Sequence, residues 1–382
     1  MPSVQQKRKI AVIIPKYGLT GGAERFVASL TEQLTLNPTY AIHVFANKWI
    51  SNSEKITFHH IPVIFFPRFL TTLSFAWFVD RALRLGQYDI VHTHDRILYA
   101  DLFTMHGVPH RFWIHTIRGK RMSFYDKITA WVEKKLVTDP TCKFLLPVST
   151  LAQEQYQQEF PETRDRLRVV HPGIDLMRFT QSHQEVTRSR IRGQFNIEPS
   201  AFVILFVGMN FELKGLDPLI SAVAEVIRKK PAHAQQIKLL VVGKGNQDRY
   251  RKIAENHGIQ NTVIFAGVQN EGIEQFYAAA DIYALLSGFD TFGMTVLEAM
   301  ASQLPVIISH TVGAKDLVTE GVNGYVVEKN NITDISDRII ALLNPEQRLK
   351  MGQAARRVAK RRSWTNMAME LTEIYESILS TR

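Results

Sequence analysis

The sequence predicts two doubly wound α/β domains in tandem, and three observations predict it. The chain has 382 residues, long enough for two domains of ordinary size. Short runs rich in Ile and Val alternate with helical patterns along nearly its whole length, which implies parallel sheets covered by helices on both faces. The alternation runs twice, broken at His171-Pro172-Gly173-Ile174-Asp175 and the polar stretch from Thr180 to Arg192. The domain bounds expected are residues 1–172, joined by a terminal helix at 364–382, and residues 173–363.

In the first half, strands are expected at Ile10–Ile14, Ile42–Ala46, Ile61–Phe65, Ile90–His92, Leu102–Met105, Phe144–Val148 and Leu167–Val170. In the second they are expected at Phe202–Val207, Ile237–Val242, Thr262–Phe265, Ile282–Leu286, Val306–Ile308 and Tyr325–Val327. Each is short, β-branched and bounded by Gly, Pro or Asn. Helices are expected at Ala23–Leu36, Leu70–Leu85, Leu216–Lys229, Asn246–His257, Ile273–Ala279 and Thr295–Ala301. The tail from Gln347 reads as helical. Beyond it, Trp364, Met367, Leu371, Ile374, Tyr375 and Ile378 recur at spacings of three and four, placing them on one face that must be buried.

Hydrophobic content of 45% and charged content of 21% fit a packed core. The single cysteine, Cys142, excludes an intrachain disulfide or a cysteine zinc site and reads as a buried small residue. The basic start, residues 1–9, lacks a signal-type apolar region, and no apolar run reaches the ~18 residues of a spanning helix. A cytoplasmic location is expected. Net charge is +10, and residues 1–172 hold most of it, with 22 Lys/Arg against 14 Asp/Glu. The excess lies around Arg111, Arg118, Lys120, Arg121, Lys127, Lys134 and Lys135, interleaved with Phe112, Trp113, Phe124, Tyr125 and Trp131. Such a stretch suits an anionic membrane surface or another anionic partner; an unpartnered solvated face is the alternative. No nucleic-acid motif accompanies it, so nucleic acid is not expected as a partner.

Several motifs fall where strands end. Gly18-Leu19-Thr20-Gly21-Gly22-Ala23-Glu24-Arg25 follows the first strand and opens the first helix, a place where backbone N–H groups approach an anion. It matches neither the dinucleotide nor the P-loop signature, and a plain turn is the alternative. Lys214-Gly215 follows the first strand of the second half, where an ammonium group suits a diphosphate. Gly243-Lys244-Gly245 is either a tight turn or a set of backbone donors. His106 ends a strand and can hydrogen-bond a sugar hydroxyl or a phosphate. His92 and His94 lie close by in sequence, but no carboxylate stands at ligand spacing, so no metal is expected.

Ser287-Gly288-Phe289-Asp290-Thr291-Phe292-Gly293-Met294-Thr295 leads into Glu298, with Gly293 where a helix should begin. One element thus offers a loop carboxylate, helix N-terminal amides and a helical carboxylate. If the whole run were helical, Asp290 and Glu298 would be roughly 12 Å apart. That exceeds the roughly 5–9.5 Å of paired glycosidase carboxylates and suits the two ends of an elongated polar ligand. A helix cap at Asp290 and a solvated helical glutamate are the plain alternatives.

In order and spacing, these motifs together resemble glycosyltransferase family 4, retaining enzymes of the GT-B fold. The resemblance runs from Gly21-Gly22-Ala23-Glu24-Arg25 through His106-Gly107, Val170 to Phe179, Phe206 to Gly215 and Val242 to Gly245, ending with Asp290 to Pro305. Within the family the chain looks most like the lipopolysaccharide core branch. The resemblance implies two Rossmann-like domains facing a central cleft, with acceptor mainly on the first and nucleotide sugar, a UDP-sugar expected, mainly on the second. It implies Lys214, Asp290 and His106 as catalytic residues. It places donor contacts at Gly21, Gly22, Gly243, Gly245, Phe292, Gly293, Met294 and Thr295, with Glu298 holding the ribose and Asp290 the donor sugar. It further implies retention at the anomeric carbon, no metal, no cofactor beyond the donor itself, and a glycan or lipid-linked acceptor.

Two departures stand out. Asp290 replaces the family's first glutamate and is one methylene shorter. Met209 stands where many members have an arginine, leaving the diphosphate more dependent on Lys214. A sugar-nucleotide epimerase or phosphorylase on the same fold, and a basic nucleic-acid-binding protein, are the competing readings.

Overall fold

The structure, a computed structural model, describes residues 7–19, 21–180, 185–269 and 271–381. Residues 1–6 of the basic start, Thr20 of the glycine loop, residues 181–184 of the polar boundary stretch and Arg382 lie outside the described residues. The chain divides into two compact units, Met1–Gly173 with Trp364–Arg382, and Ile174–Ser363.

The first unit contains β1 (Arg8–Ile13), β2 (Lys16–Tyr17), β3 (Tyr40–Ala46), β4 (Lys48–Trp49), β5 (Ile56–His60), β6 (Ile90–Thr93), β7 (Leu102–Met105) and β8 (Phe144–Pro147). Six of them form a parallel sheet in the order β5-β3-β1-β6-β7-β8, and β2 pairs with β4 outside it. The second unit contains β9 (Phe202–Gly208), β10 (Ile237–Gly243), β11 (Val263–Gly267), β12 (Ile282–Leu285), β13 (Val306–Ser309) and β14 (Gly324–Val327), ordered β11-β10-β9-β12-β13-β14. Counted by their long strands, both sheets have the order 3-2-1-4-5-6 of doubly wound nucleotide-binding domains. In that order the chain reverses direction across the sheet between the first and fourth strands. Loops leaving those two strands open a crevice at their carboxyl ends. The crevice is flanked by β1 and β6 in the first unit, and by β9 and β12 in the second.

The strand composition explains the burial. Val203, Ile204, Leu205 and Phe206 of β9 and Leu239, Leu240 and Val241 of β10 are fully buried, as both faces of a parallel sheet require. The helix Trp364–Leu379 seats Met367, Leu371, Ile374, Tyr375 and Ile378 in one cluster with Val27 and Leu30 of the helix Gly22–Leu34 and with Val12 and Val44 of the first sheet.

Two expected strands are corrected. The run Ile61–Phe65 is irregular, and the strand lies just before it at Ile56–His60. Pro62 lacks the N–H that a ladder needs, whereas Ile56–His60 pairs along its whole length with β3 at the sheet edge. Leu167–Val170 is not a strand: Leu167 makes a single bridge to Leu145 after the 3-10 turn Pro161–Arg166. Four further helices, Phe124–Thr138, Thr150–Glu159, Glu185–Gln194 and Ile332–Ala341, lie outside the helices expected from the sequence.

Candidate active site

The crevice of the second unit is built by two loops. After β9 the chain makes a turn in which Lys214 N–H donates to Asn210 C=O and Leu216 N–H to Phe211 C=O. Gly215, at φ 75°, lets that turn enter the helix Leu216–Lys229; a Cβ there would stand 1.9 Å from Leu286 O. The loop after β12 is tied to it. Gly288 N–H donates to Leu213 C=O at 2.7 Å, and the Ser287 hydroxyl donates to the same carbonyl at 3.0 Å. Across this joint the Lys214 ammonium group donates to Oδ2 of Asp290. The lysine stem crosses Gly208, leaving no room there for a side chain.

Asp290 is fixed through its backbone. Its N–H donates to Thr311 C=O at 3.0 Å, and its C=O accepts from Gly313 N–H at 2.9 Å. It is not a helix cap. That place belongs to Gly293, at φ 90°, directly before the helix Met294–Ala301. Because only residues 294–301 are helical, helical rise does not set the spacing from Asp290 to Glu298. The first amides of a helix have no carbonyl one turn behind them; here Val296 N–H donates to Gly293 C=O at 2.9 Å instead.

On that helix, Glu298 accepts a hydrogen bond from the buried Tyr277 hydroxyl at 2.7 Å. Burial beside this carboxylate raises the Tyr277 phenol well above its usual range, so the ring stays a neutral donor. Thr295 Oγ1 accepts from Tyr283 at 2.7 Å. Phe292 is a core residue whose backbone carbonyl accepts from Ala314 N–H. A Cβ at Gly243, which is at φ 128°, would stand 1.8 Å from Gly208 O, and one at Gly245 would stand 2.2 Å from the Phe211 ring, so close approach alone favours glycine at both. Met209 is exposed, and the Lys329 ammonium group instead lies beside Gly288, 3.3 Å from where a Cβ would stand. Neither Tyr277 nor Lys329 carries a local motif that could have marked it in the sequence.

In the first unit, Gly21 precedes the helix Gly22–Leu34, and the Glu24 carboxylate folds over it, while the space beside Gly22 is open. His106 follows β7. Its Nε2 is hydrogen-bonded to His94 Nδ1 at 3.0 Å, and Phe26 packs edge-on to its ring. Burial lowers the His106 pKa to about 3, so the imidazole is neutral. His92 is structural: Tyr375 and Thr104 occupy its two nitrogens, both at 2.7 Å. Among the described residues no group of three or more His, Cys, Asp or Glu side chains is arranged to hold a metal ion. No described helix is long and apolar enough to cross a membrane.

Two family models match the chain: Glycosyltransferase Family 4 over residues 20–178, and Glycosyl transferases group 1 over residues 187–358. The D-inositol 3-phosphate glycosyltransferase of Corynebacterium jeikeium is 31% identical over 313 residues, covering 76% of this chain and 73% of the relative. Among solved structures, WaaG, a glycosyltransferase involved in lipopolysaccharide biosynthesis, superposes with a TM-score of 0.78 at 19% identity, covering 96% of this chain and 99% of its own. Anabaena HepE in complex with UDP-glucose superposes at 0.69 with 18% identity, covering 97% and 99%. These two likenesses show the shared fold, GT-B.

Proposed function

The chain belongs to the glycosyltransferases of the group 1 and family 4 type, and from that premise we propose that it transfers a hexose from a UDP-sugar to a glycan or lipid-linked saccharide with retention at the anomeric carbon. The observation that carries this reading is the convergence of Lys214, Asp290 and the Glu298 helix on the crevice beside β9 and β12. In the proposal Glu298, steadied by Tyr277, accepts from the ribose hydroxyls. The amides of Met294 and Thr295 and the ammonium group of Lys214 face the diphosphate. Lys329 supplies the second cation that Met209 does not. Lys214 has three N–H donors and gives one to Asp290, so it can hold carboxylate and phosphate together.

The bond from the anomeric carbon to the diphosphate oxygen breaks as the acceptor hydroxyl attacks from the same face. Its proton passes to the departing phosphate oxygen, giving UDP and the glycoside. Stabilising the leaving diphosphate is the main electrostatic task, and cationic groups fixed by the fold meet it without a metal or an added cofactor. Asp290 contacts the donor sugar in this reading.

A peripheral contact with an anionic membrane, at the cytoplasmic face, is part of the proposal. It is supported by the exposed Phe124 and Trp131, which are interleaved in the chain with Arg118, Lys120, Arg121 and Lys127. Sedimentation with anionic vesicles at low salt tests it; failure to co-sediment there would remove the membrane from the reading. The transfer itself is tested by UDP release from a panel of UDP-sugars, with and without truncated core oligosaccharides. Acceptor-dependent UDP release supports it, and an epimerised donor formed without acceptor would overturn it.

A further inference from the structure

The loop that carries Asp290 is held in place by the loop after β13. Past the ends of β12 and β13 the two loops continue side by side, with Asp290 bridged to Val312 in the parallel sense. Two hydroxyls converge on the Ser287 carbonyl: Ser309 Oγ donates to it at 2.7 Å and Thr311 Oγ1 at 2.6 Å. The backbone carbonyl of the same threonine accepts from Asp290 N–H at 3.0 Å. Thr311 thus grips the loop twice, once with its side chain at Ser287 and once with its backbone at Asp290.

Ser287 and Ser309 are fully buried, and Thr311 is part-buried. A buried carbonyl without a partner is costly, so the two hydroxyls fix the point at which the loop leaves the sheet. The other side of the loop is anchored as well, since Gly288 N–H and the Ser287 hydroxyl donate to Leu213 C=O, next to Lys214. Ser287 therefore ties together the loops after β9, β12 and β13. Of the residues on it, Thr311 is the one that also holds the backbone of Asp290. An aspartate carboxylate stands a single methylene from its backbone and follows it closely. A shift of the loop therefore moves the carboxylate against Lys214 and against any ligand the pair holds. At a reacting centre, a misplacement of about 1 Å can lower the rate by about a hundredfold.

We propose that Thr311 is a positioning residue for Asp290, and that through Asp290 it governs which donor sugar is transferred, without touching the donor itself. The inference rests on the donor-site reading, since it takes Asp290 as the group beside the sugar. Removing the Thr311 hydroxyl loosens Asp290 while leaving Lys214, Glu298 and the helix Met294–Ala301 as they are. Sugar transfer then suffers and UDP binding does not.

The test compares wild type with Thr311→Val, which keeps the shape and removes the hydroxyl, and Thr311→Ser, which keeps the hydroxyl. Asp290→Asn and the double variant Thr311→Val/Asp290→Asn complete the set. For each, kcat and KM are measured with UDP-glucose, UDP-galactose and UDP-N-acetylglucosamine on truncated core oligosaccharides, and UDP affinity by calorimetry. Thr311→Val is expected to lose roughly tenfold in kcat and to change the kcat/KM ratio between donors by at least roughly threefold, with UDP affinity held within about twofold. Thr311→Ser is expected to restore both quantities. In the Asp290→Asn background, Thr311→Val is expected to have no further effect, because coupled residues are not additive. An unchanged donor ratio in Thr311→Val overturns the proposal. So do losses that multiply in the double variant, as a merely structural role would give. Should Thr311→Val fail to fold, Ser309→Ala removes the other hydroxyl on Ser287 C=O, and an unchanged donor ratio there overturns the proposal too. A wild-type chain that neither binds UDP nor releases it from any of the three donors rejects the donor reading, and this inference with it. Transfer by the wild type with an unmoved ratio in Thr311→Val rejects only the role of Thr311.

Discussion

The Lys214 ammonium group donates to Oδ2 of Asp290, joining two loops whose residues stand 76 positions apart. The pair sits where β9 and β12 part, at the reversal of the second sheet. It gives two residues assigned to different parts of the donor a shared electrostatic fate, since whatever binds the lysine also alters the environment of the carboxylate.

Replacing each partner therefore gives opposite signatures. Lys214→Met removes the cation facing the diphosphate and leaves Asp290 without its ion pair. UDP affinity is expected to fall by roughly 1.5–3 kcal/mol, the range for a hydrogen bond to a charged group, and turnover to fall with it. Asp290→Asn frees the ammonium group, so UDP affinity holds or rises while sugar transfer drops. Calorimetry with UDP and single-turnover transfer separate the two. Equal losses of UDP affinity in both variants would contradict the divided roles.

The Tyr277–Glu298 contact predicts a narrower effect. Tyr277→Phe keeps the buried ring and removes only the donor that holds the Glu298 carboxylate. Donor affinity is expected to weaken roughly tenfold, read as a raised KM with kcat nearly unchanged at saturating donor. Glu298→Ala is expected to weaken UDP binding further. A Tyr277→Phe enzyme with wild-type KM would mean that Glu298 needs no such support.

Why some of this was legible in the sequence and some was not follows from how each signal arises. Strands buried on both faces, such as Phe202–Gly208, carry continuous apolar runs. The edge strand Ile56–His60, Ile-Thr-Phe-His-His, is only part-buried, so its composition looks polar and the apolar run after it gives the stronger strand signal. The helix Phe124–Thr138 has a local signal, the capping box at Ser123 and Asp126, but its apolar residues are interspersed with charged and aromatic ones. Lys214, Asp290 and Glu298 stood out because each adjoins a glycine turn or a strand end. Tyr277 did not, because its role depends on the helix Ile273–Ala279 packing against the helix Met294–Ala301, a relation no local spacing encodes. The grip of Thr311 on Ser287 likewise depends on the loops after β12 and β13 lying side by side.

The terminal helix predicts where the first unit is weakest to truncation of side chains. Leu371 is fully buried in the cluster that joins this helix to Leu30 and Val12. Leu371→Ala removes its methyl groups from a packed interior and is expected to destabilise the unit by about 2–5 kcal/mol. Urea unfolding followed by tryptophan fluorescence checks this. A change within a few tenths of a kcal/mol would mean that the helix is not part of the cooperative core.

The histidines of the first unit predict an acid limb in stability. Burial lowers the pKa of His92 to about 3, while an unfolded histidine titrates near 6.5. Between those values the unfolded chain binds a proton that the folded chain excludes, so stability rises with pH across that window. The contribution is fully present above about pH 6.5 and is lost as pH falls toward 3, by at most about 1.4 kcal/mol per pH unit for one such group. His94 and His106 are shifted in the same direction by burial and steepen the limb. His92→Gln removes one titrating group and can keep a hydrogen bond to Thr104 or Tyr375, whose hydroxyls hold the imidazole. Its midpoint of urea unfolding is expected to be lower than wild type at pH 7 and to fall less steeply between pH 6.5 and 4. Parallel slopes in the two proteins would mean that His92 is not the neutral, proton-excluding group its surroundings make it.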